Sequence, residues 1–323
     1  MDRRAVSVDI DAIRAAAARI EGHVRRTPLL EDERLNDRAG RRVLVKCESL
    51  QVTGSFKARG GWNALATRPD GTAGVLACSS GNHAQGVARA ARQQGVPAVI
   101  VMPTDAPPVK VVNTRGYGAE VVLYDRAEED RDALATAIAT ERGLHFIHPF
   151  DNDAVMAGQG TVGLEIAAQA SEMGVGEADV LVCTGGGGLA SGIAVALRAD
   201  APGLRVRTVE PEGFDDVARS LEAGHIKRNS VKSGSICDAI VTPSPGDLTF
   251  PILRELAGPG LAVSDDEALA AMRVAFELLR LVVEPGGAVA LAAALRGGDL
   301  PETVIVTLSG GNVDPALFAE VIR

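Results

Sequence analysis

The sequence predicts an α/β fold, and three observations carry that prediction. Short apolar runs rich in β-branched residues alternate with longer stretches of helical spacing. The runs are continuous rather than alternating, which suits parallel strands covered on both faces. Many of the 36 glycines fall in tight clusters, a distribution that points to ligand sites built from backbone.

In chain order the expected strands are VLVKCE from Val43, GVLACSS from Gly74, AVIVMP from Ala98 and AEVVLY from Ala119. They continue with DVLVCTG from Asp179, RVRTVE from Arg205 and TVIVTLSGG from Thr303. Helical stretches separate most of them, as crossovers between parallel strands require. One helix is legible in detail: Ser264 and Glu267 form an S-x-x-E capping box, and Leu269, Met272, Phe276 and Leu279 then recur at helical spacing. Pro285 is expected to stop it, because proline has no N–H to donate. No linker and no internal repeat divides the chain. Its end, about a dozen residues after the last strand pattern, is expected to leave no room for an appended regulatory domain.

Composition narrows the function. With 323 residues, 46% hydrophobic and 23% charged, the chain has the proportions of an ordinary globular protein. A net charge of −9 without a Lys/Arg-rich run argues against nucleic acid as a partner. No apolar stretch reaches the roughly 20 residues of a spanning helix, and the N-terminus lacks a signal-peptide core, so the expected location is the cytoplasm, with no membrane partner. Cys47, Cys78, Cys183 and Cys237 form no CxxC pair and are expected to be buried free thiols.

Three loops carry chemistry. The strand DVLVCTG runs into Gly185-Gly186-Gly187-Gly188 and then a helical segment. Such a run can turn its N–H groups inward at a helix N-terminus, where the dipole favours an anion, and a phosphate is the natural occupant. Neither a P-loop nor a dinucleotide fingerprint is present. The second loop, Ser79-Ser80-Gly81-Asn82-His83, offers small polar groups and a helix start suited to a carboxylate or phenolate; His83 reads equally as a capping histidine or a catalytic one. The third, Thr53-Gly54-Ser55-Phe56-Lys57-Ala58-Arg59-Gly60, holds a lysine among small residues. A lone lysine is ordinarily a solvated surface group. If buried, its amine would become nucleophilic, as carbonyl chemistry needs.

Together SFKARG, SSGNH, GGGG and LSGGN, in that order, resemble the fold-type II pyridoxal-phosphate enzymes, in particular the threonine/serine dehydratase and serine racemase family, which includes 3-hydroxyaspartate dehydratase-like members. The resemblance runs from RRTPLL near Thr27 to SGGNVD at Ser309. It implies two twisted, mostly parallel sheets with helices on both faces, the tryptophan synthase β-like arrangement. It also implies a large cofactor-binding domain from 1–50 and 150–323, with 51–149 a small domain closing over the active site.

The same resemblance implies that Lys57 carries the cofactor as a Schiff base with Phe56 against its ring, and that Asn82 bonds the 3′-oxygen. Gly185 to Gly188 would cradle the phosphate and Ser309 would meet the pyridine nitrogen. A neutral hydroxyl there need not keep the nitrogen protonated, so the ring would be a weaker electron sink, favouring prompt loss of a β-hydroxyl. Lys57 would remove the α-proton of a small amino-acid substrate, and the products would be a 2-oxo acid and ammonia. L-serine, L-threonine and 3-hydroxyaspartate are the implied substrates, with racemisation an alternative and a homodimer the expected assembly.

Three further features refine this placement, and one segment departs from it. Ser80 matches a serine of racemase-like members that could exchange a proton with the second face of Cα; otherwise it caps a helix, and Ser79 and His83 stand beside it on the substrate side. Glu210 and Asp216, with the Phe214 carbonyl, resemble the family's divalent-cation loop for Mg²⁺, Mn²⁺ or Ca²⁺, or else form an acidic turn. Arg131 falls where racemase-like members carry an arginine near the substrate side chain and could fork a second carboxylate, or it is a solvated helix residue. The segment AIVTPSPGDLTF after Asp238 departs from the family pattern; Thr242 is the candidate there for holding a substrate carboxylate. A β/γ-replacement synthase of the same fold and a non-enzymatic binding module are the competing readings. Thiol-dependent product formation would favour the first, and a colourless protein the second.

Overall fold

All seven apolar runs become strands, and they sort into two sheets. The computed structural model describes residues 8–79, 81–106, 108–125, 128–231 and 233–323. The chain begins with α1 (Ile10–Ile20), β1 (Leu29–Glu31), α2 (Glu33–Ala39) and β2 (Arg42–Lys46). It then forms α3 (Lys57–Ala66), β3 (Gly74–Cys78), α4 (Asn82–Gln94), β4 (Ala98–Pro103), α5 (Pro108–Gly116), β5 (Glu120–Tyr124), α6 (Arg131–Arg142) and β6 (Leu144–Phe146). After α7 (Asp153–Glu172) come β7 (Ala178–Cys183), α8 (Gly188–Asp200), β8 (Leu204–Pro211), α9 (Asp216–Ala223), α10 (Thr249–Leu256) and β9 (Leu261–Val263). The chain closes with α11 (Asp265–Val274), α12 (Pro285–Arg296), β10 (Thr303–Thr307) and α13 (Pro315–Val321).

The larger sheet has the order β1-β2-β10-β7-β8-β9 and the smaller one β5-β4-β3-β6. Every pairing is parallel except β1 with β2. Strands β1, β6 and β9 have three residues each, too few to show a period in sequence. Pairing with a longer neighbour creates them.

The Ser264–Glu267 capping box is present. The helix it opens ends sooner than the proline suggests: it widens into a π-turn over Ala275–Leu279 and stops at Arg280, whose φ is +62°. Pro285 instead occupies the first turn of α12, where a missing N–H costs nothing. All four cysteines are buried thiols. Among the described residues no helix is long and apolar enough to cross a membrane.

Glycine-to-glycine contacts set the packing that matters for the site. A Cβ at Gly61 of α3 would lie 2.8 Å from the Gly86 carbonyl carbon of α4, and one at Gly86 would lie 2.7 Å from the Lys57 carbonyl oxygen. Only glycines allow α3 and α4 to approach this closely, and the approach brings the start of α4 beside Lys57. The loops after β2, β3, β7, β8 and β10 all leave the carboxyl ends of their strands, where open parallel sheets place ligands.

Candidate active site

Lys57 opens α3 in the crevice between the two sheets. Its Nζ donates to the Pro149 carbonyl at 2.7 Å and lies 5.1 Å from the centroid of the Phe56 ring. Burial pulls its pKa from 10.5 down to about 8, so the amine is far more often neutral than a surface lysine. Thr53, just upstream, has φ +65° and is followed by Gly54 at +71°. A threonine in the left-handed region is uncommon, and here two side-chain and backbone ties hold it: Asn312 Nδ2 donates to the Thr53 carbonyl at 2.8 Å, and the Gly311 N–H to the Gly54 carbonyl at 2.8 Å.

The LSGGN segment is zipped to the lysine loop by the same strand-like contacts. The Phe56 N–H donates to the Ser309 carbonyl at 3.2 Å, and Ser55 bridges Gly310. Ser309 is buried, with its N–H donating to the Gly287 carbonyl at 3.2 Å. Ser309 and Lys57 are therefore held together although they are far apart in sequence.

The four glycines join β7 to α8, with Gly187 at φ +94°. Side chains at 186 or 188 would run into Phe150, and one at 185 would meet Ile240 and Thr242. Thr249 Oγ1 donates to the Gly186 carbonyl at 2.6 Å, turning that carbonyl away from the crevice. Among the described residues, the N–H groups of Gly185, Gly186 and Gly187 donate to no protein acceptor outside the regular ladders. Backbone donors of this kind at a helix N-terminus form an anion nest.

Asn82 and His83 begin α4, both buried. The Ser79 Oγ accepts from the Gly81 N–H at 3.1 Å and shapes the preceding turn. Ser80 lies outside the described residues. His83 Nε2 contacts the Ile147 carbonyl at 3.1 Å, and its Nδ1 has no partner. Burial first and the Lys57 charge second push its pKa down to about 3, so the ring is neutral and offers hydrogen bonds rather than charge.

Two residues that sequence reasoning missed fix the Asn82 amide. Asn312 Nδ2 donates to Asn82 Oδ1 at 2.7 Å, while Asn82 Nδ2 donates to the buried Glu284 carboxyl. The amide nitrogen carries two hydrogens, so one remains for a ligand. A signal for Glu284 was available: it is an acid set inside the apolar run LVVEPGGAVALA, directly before a proline. Asn312 is the last residue of the LSGGN motif, so the motif marked the position but not its role.

Glu210 and Asp216 lie together at the start of α9, both buried. Glu210 accepts from the N–H groups of Val217 and Ala218 at 2.9 and 2.8 Å; Asp216 Oδ1 accepts from Asn229 Nδ2 at 2.6 Å, leaving Oδ2 without a partner. Burial, then the Asp216 charge, raises Glu210 well above the carboxylate range, and burial raises Asp216 to about 7. Phe214 is buried in the turn between them. Among the described residues no three His, Cys, Asp or Glu side chains group to hold a metal, so a cation here would take two carboxylates, backbone oxygen and water.

Thr242 stands against the glycine loop, its methyl 3.2 Å from where a Cβ at Gly185 would sit, and its buried hydroxyl has no partner. Arg131 is exposed at the first turn of α6, the helix that packs on β3 and β6. The crevice thus gathers Lys57, Phe56, Ser79, Asn82, His83, the glycine loop, Thr242 and Ser309. The carboxylate pair lies at the end of β8 and is tied to Thr242 through Asn229, which donates to Asp216 and to the Thr242 carbonyl at 2.6 and 2.7 Å.

Known proteins resemble this chain over nearly its whole length. The model of the pyridoxal-phosphate dependent enzyme family matches residues 20–311. The chain is 43% identical to an L-threo-3-hydroxyaspartate ammonia-lyase of Pseudomonas sp, over 95% of this chain and 96% of the relative. Among solved structures, a threonine deaminase from T.th. superposes with a TM-score of 0.90 at 48% identity, over 95% of this chain and 99% of that one. Maize serine racemase superposes with a TM-score of 0.91 at 37% identity, over 97% and 96%.

Proposed function

The chain belongs to the pyridoxal-phosphate dependent enzyme family, and from that premise we propose that it dehydrates and deaminates a small β-hydroxy amino acid. The products are a 2-oxo acid and ammonia. One observation carries the reading: a lysine with a depressed pKa shares a crevice with an N–H nest, an amide with one hydrogen to spare and a buried serine. These groups fit the aldehyde, phosphate, 3′-oxygen and ring nitrogen of pyridoxal phosphate, each at a separate corner.

When bound, the cofactor supplies an electron sink for the bond to the substrate α-proton. Lys57 would hold it covalently, and its amine, once free, would take the substrate α-proton. The N–H groups of Gly185 to Gly188 would hold the phosphate, Asn82 would donate its remaining amide hydrogen to the 3′-oxygen, and Phe56 would flank the ring. The Ser309 hydroxyl would meet the ring nitrogen without charge, which would favour prompt loss of the β-hydroxyl. Ser79, His83 and Thr242 line the substrate side, where the free hydroxyl of Thr242 would donate to a carboxylate and the unpartnered Nδ1 of His83, whose Nε2–H is held by the Ile147 carbonyl, would accept from a substrate N–H or O–H. Residues 51–149 form the small domain that closes over the site, against a large domain of 1–50 and 150–323.

The similarity to an L-threo-3-hydroxyaspartate ammonia-lyase supports 3-hydroxyaspartate as a substrate beside L-serine and L-threonine. Arg131 then swings in from α6 to pair the second carboxylate. Glu210, Asp216 and the Phe214 carbonyl hold Mg²⁺, Mn²⁺ or Ca²⁺, a reading supported by the free oxygen of Asp216 and by the mutual repulsion that a cation would relieve. The likeness to maize serine racemase supports serine racemisation as a second activity, with Ser80 exchanging the proton on the face opposite Lys57. The working form is a cytoplasmic homodimer.

The test is a panel of L- and D-serine, L-threonine and the 3-hydroxyaspartate isomers, scored for 2-oxo acid and for enantiomer exchange, with and without chelator. The expected result is 2-oxo acid from the L-substrates and lower turnover with chelator. Product only in the presence of an added thiol would instead make the chain a β-replacement synthase.

A further inference from the structure

The ammonium group of Lys110 stands at the junction between the two sheets and has no part in the reaction itself. Lys110 belongs to α5, on the side of the smaller sheet, and its side chain is almost wholly buried. Its Nζ donates to Asp238 Oδ2 at 2.7 Å and lies 4.0 Å from Glu284 Oε2. Both acids come from the other side of the crevice: Asp238 from the loop that goes on to Ile240 and Thr242 against Gly185, and Glu284 from the start of α12.

Lys110 reaches Asn82 by two routes. Its stem lies along the turn before Asn82, since a Cβ at Gly81 would be 3.4 Å from both Cδ and Nζ of Lys110. Its charge faces the carboxyl group that accepts from Asn82 Nδ2, and the facing oxygen, Glu284 Oε2, has no hydrogen-bond partner. Buried carboxylates are costly unless paired, and Lys110 is the cation that faces this one among the described ion pairs. A neutral Glu284 would carry a proton on one oxygen and could itself donate to Asn82, which would let the amide turn over. With Glu284 ionised, only the amide nitrogen of Asn82 can face it, and the amide oxygen is left to Asn312.

We propose that Lys110 is a positioning residue for the cofactor's 3′-oxygen: bridging Asp238 and Glu284 across the crevice, it keeps the Glu284 carboxylate ionised and so holds the Asn82 amide with its nitrogen toward the cofactor. This rests on the assignment of the crevice as the pyridoxal-phosphate site. It gives the small-sheet side a direct grip on cofactor orientation, because Lys110 lies on α5 and both of its acids lie across the crevice.

The experiment is a double-mutant cycle between Lys110→Met and Asn82→Ala, read by the visible absorption of the bound cofactor and by its dissociation constant. Lys110→Met is expected to weaken the visible band relative to the near-ultraviolet one and to raise the dissociation constant about tenfold, the size of an ordinary coupling between contacting groups. In the Asn82→Ala background the same substitution is expected to change the constant by less than about twofold, since its route is gone. Lys110→Arg is expected to restore the wild-type band, which loss of packing alone would not explain.

Equal effects of Lys110→Met in the two backgrounds, or a wild-type band and constant in the single variant, overturn the proposal. If Lys110→Met fails to fold, Asp238→Asn, at a half-exposed side chain, enters the same cycle with the same expected and contrary results. A wild-type protein that shows neither a visible band nor turnover overturns the site assignment itself, whatever the variants do.

Discussion

Arg59 and Lys57 stand two residues apart on one helix, yet their surroundings are opposite. Arg59 is fully buried and fully paired: it bonds Glu48 at 2.9 and 2.7 Å, Glu165 at 2.6 and 2.9 Å, Thr161 at 3.2 Å and the Arg25 carbonyl at 3.2 Å. Lys46 completes that cluster through Glu165, Gln169 and the Thr27 carbonyl. Lys57 has one carbonyl acceptor, and buried groups without partners gather around its crevice: Ser55 Oγ, His83 Nδ1, Thr242 Oγ1 and Glu284 Oε2. A saturated buried network fixes a scaffold, whereas unsatisfied polar groups in a crevice are what a ligand completes. Arg59 therefore anchors the helix, and Lys57 is left as the residue proposed to do the chemistry.

The largest effect that could break this contrast concerns turnover. Lys57→Ala is expected to lower 2-oxo acid formation by more than about a thousandfold while leaving the urea midpoint nearly unchanged. Steady-state assay and urea unfolding of the same preparation check both halves. Arg59→Met should do the reverse: it strands the Glu48 carboxylate in the core and is expected to cost about 3–5 kcal/mol of stability. A loss below about 1 kcal/mol in denaturant unfolding would put Arg59 with the weak surface pairs and erase the distinction.

A pH titration sharpens it further. Schiff-base formation needs a neutral amine, so in cofactor-free protein the rate of pyridoxal-phosphate capture should rise with pH around a midpoint near 8. A midpoint near the ordinary lysine value of 10.5 would mean that Lys57 is solvated. The sign for stability follows from the same shift: an unfolded chain keeps the Lys57 proton up to about 10.5, so the cofactor-free fold gains stability as pH rises from about 8 to that value. The smallest effect is the control: Arg142→Ala breaks an exposed pair with Glu120 at 2.8 Å and should shift stability by less than about 1 kcal/mol.

Much of the fold and part of the crevice can be read from the sequence for a simple reason: both depend there on local signals. Long apolar runs mark seven strands, a capping box marks α11, and glycine clusters mark the loops. The sequence does not reveal what depends on contacts distant along the chain. Three-residue strands exist only through their neighbours, and α11 ends at a left-handed arginine instead of at the proline. Pro149 and Phe150, which receive the lysine amine and back the glycine loop, sit in an unremarkable turn. Glu284, Asn312 and Lys110 reach Asn82 from three separate elements, and nothing in their local sequence ties them to one amide.

The central claim is that one lysine holds the cofactor, and borohydride reduction tests it directly. Protein loaded with pyridoxal phosphate is reduced, digested and mapped by mass spectrometry. The account predicts a single pyridoxyl adduct, on the peptide that contains Lys57. An adduct on Lys46, Lys110 or Lys227 in place of Lys57, or no adduct on any peptide, would contradict it.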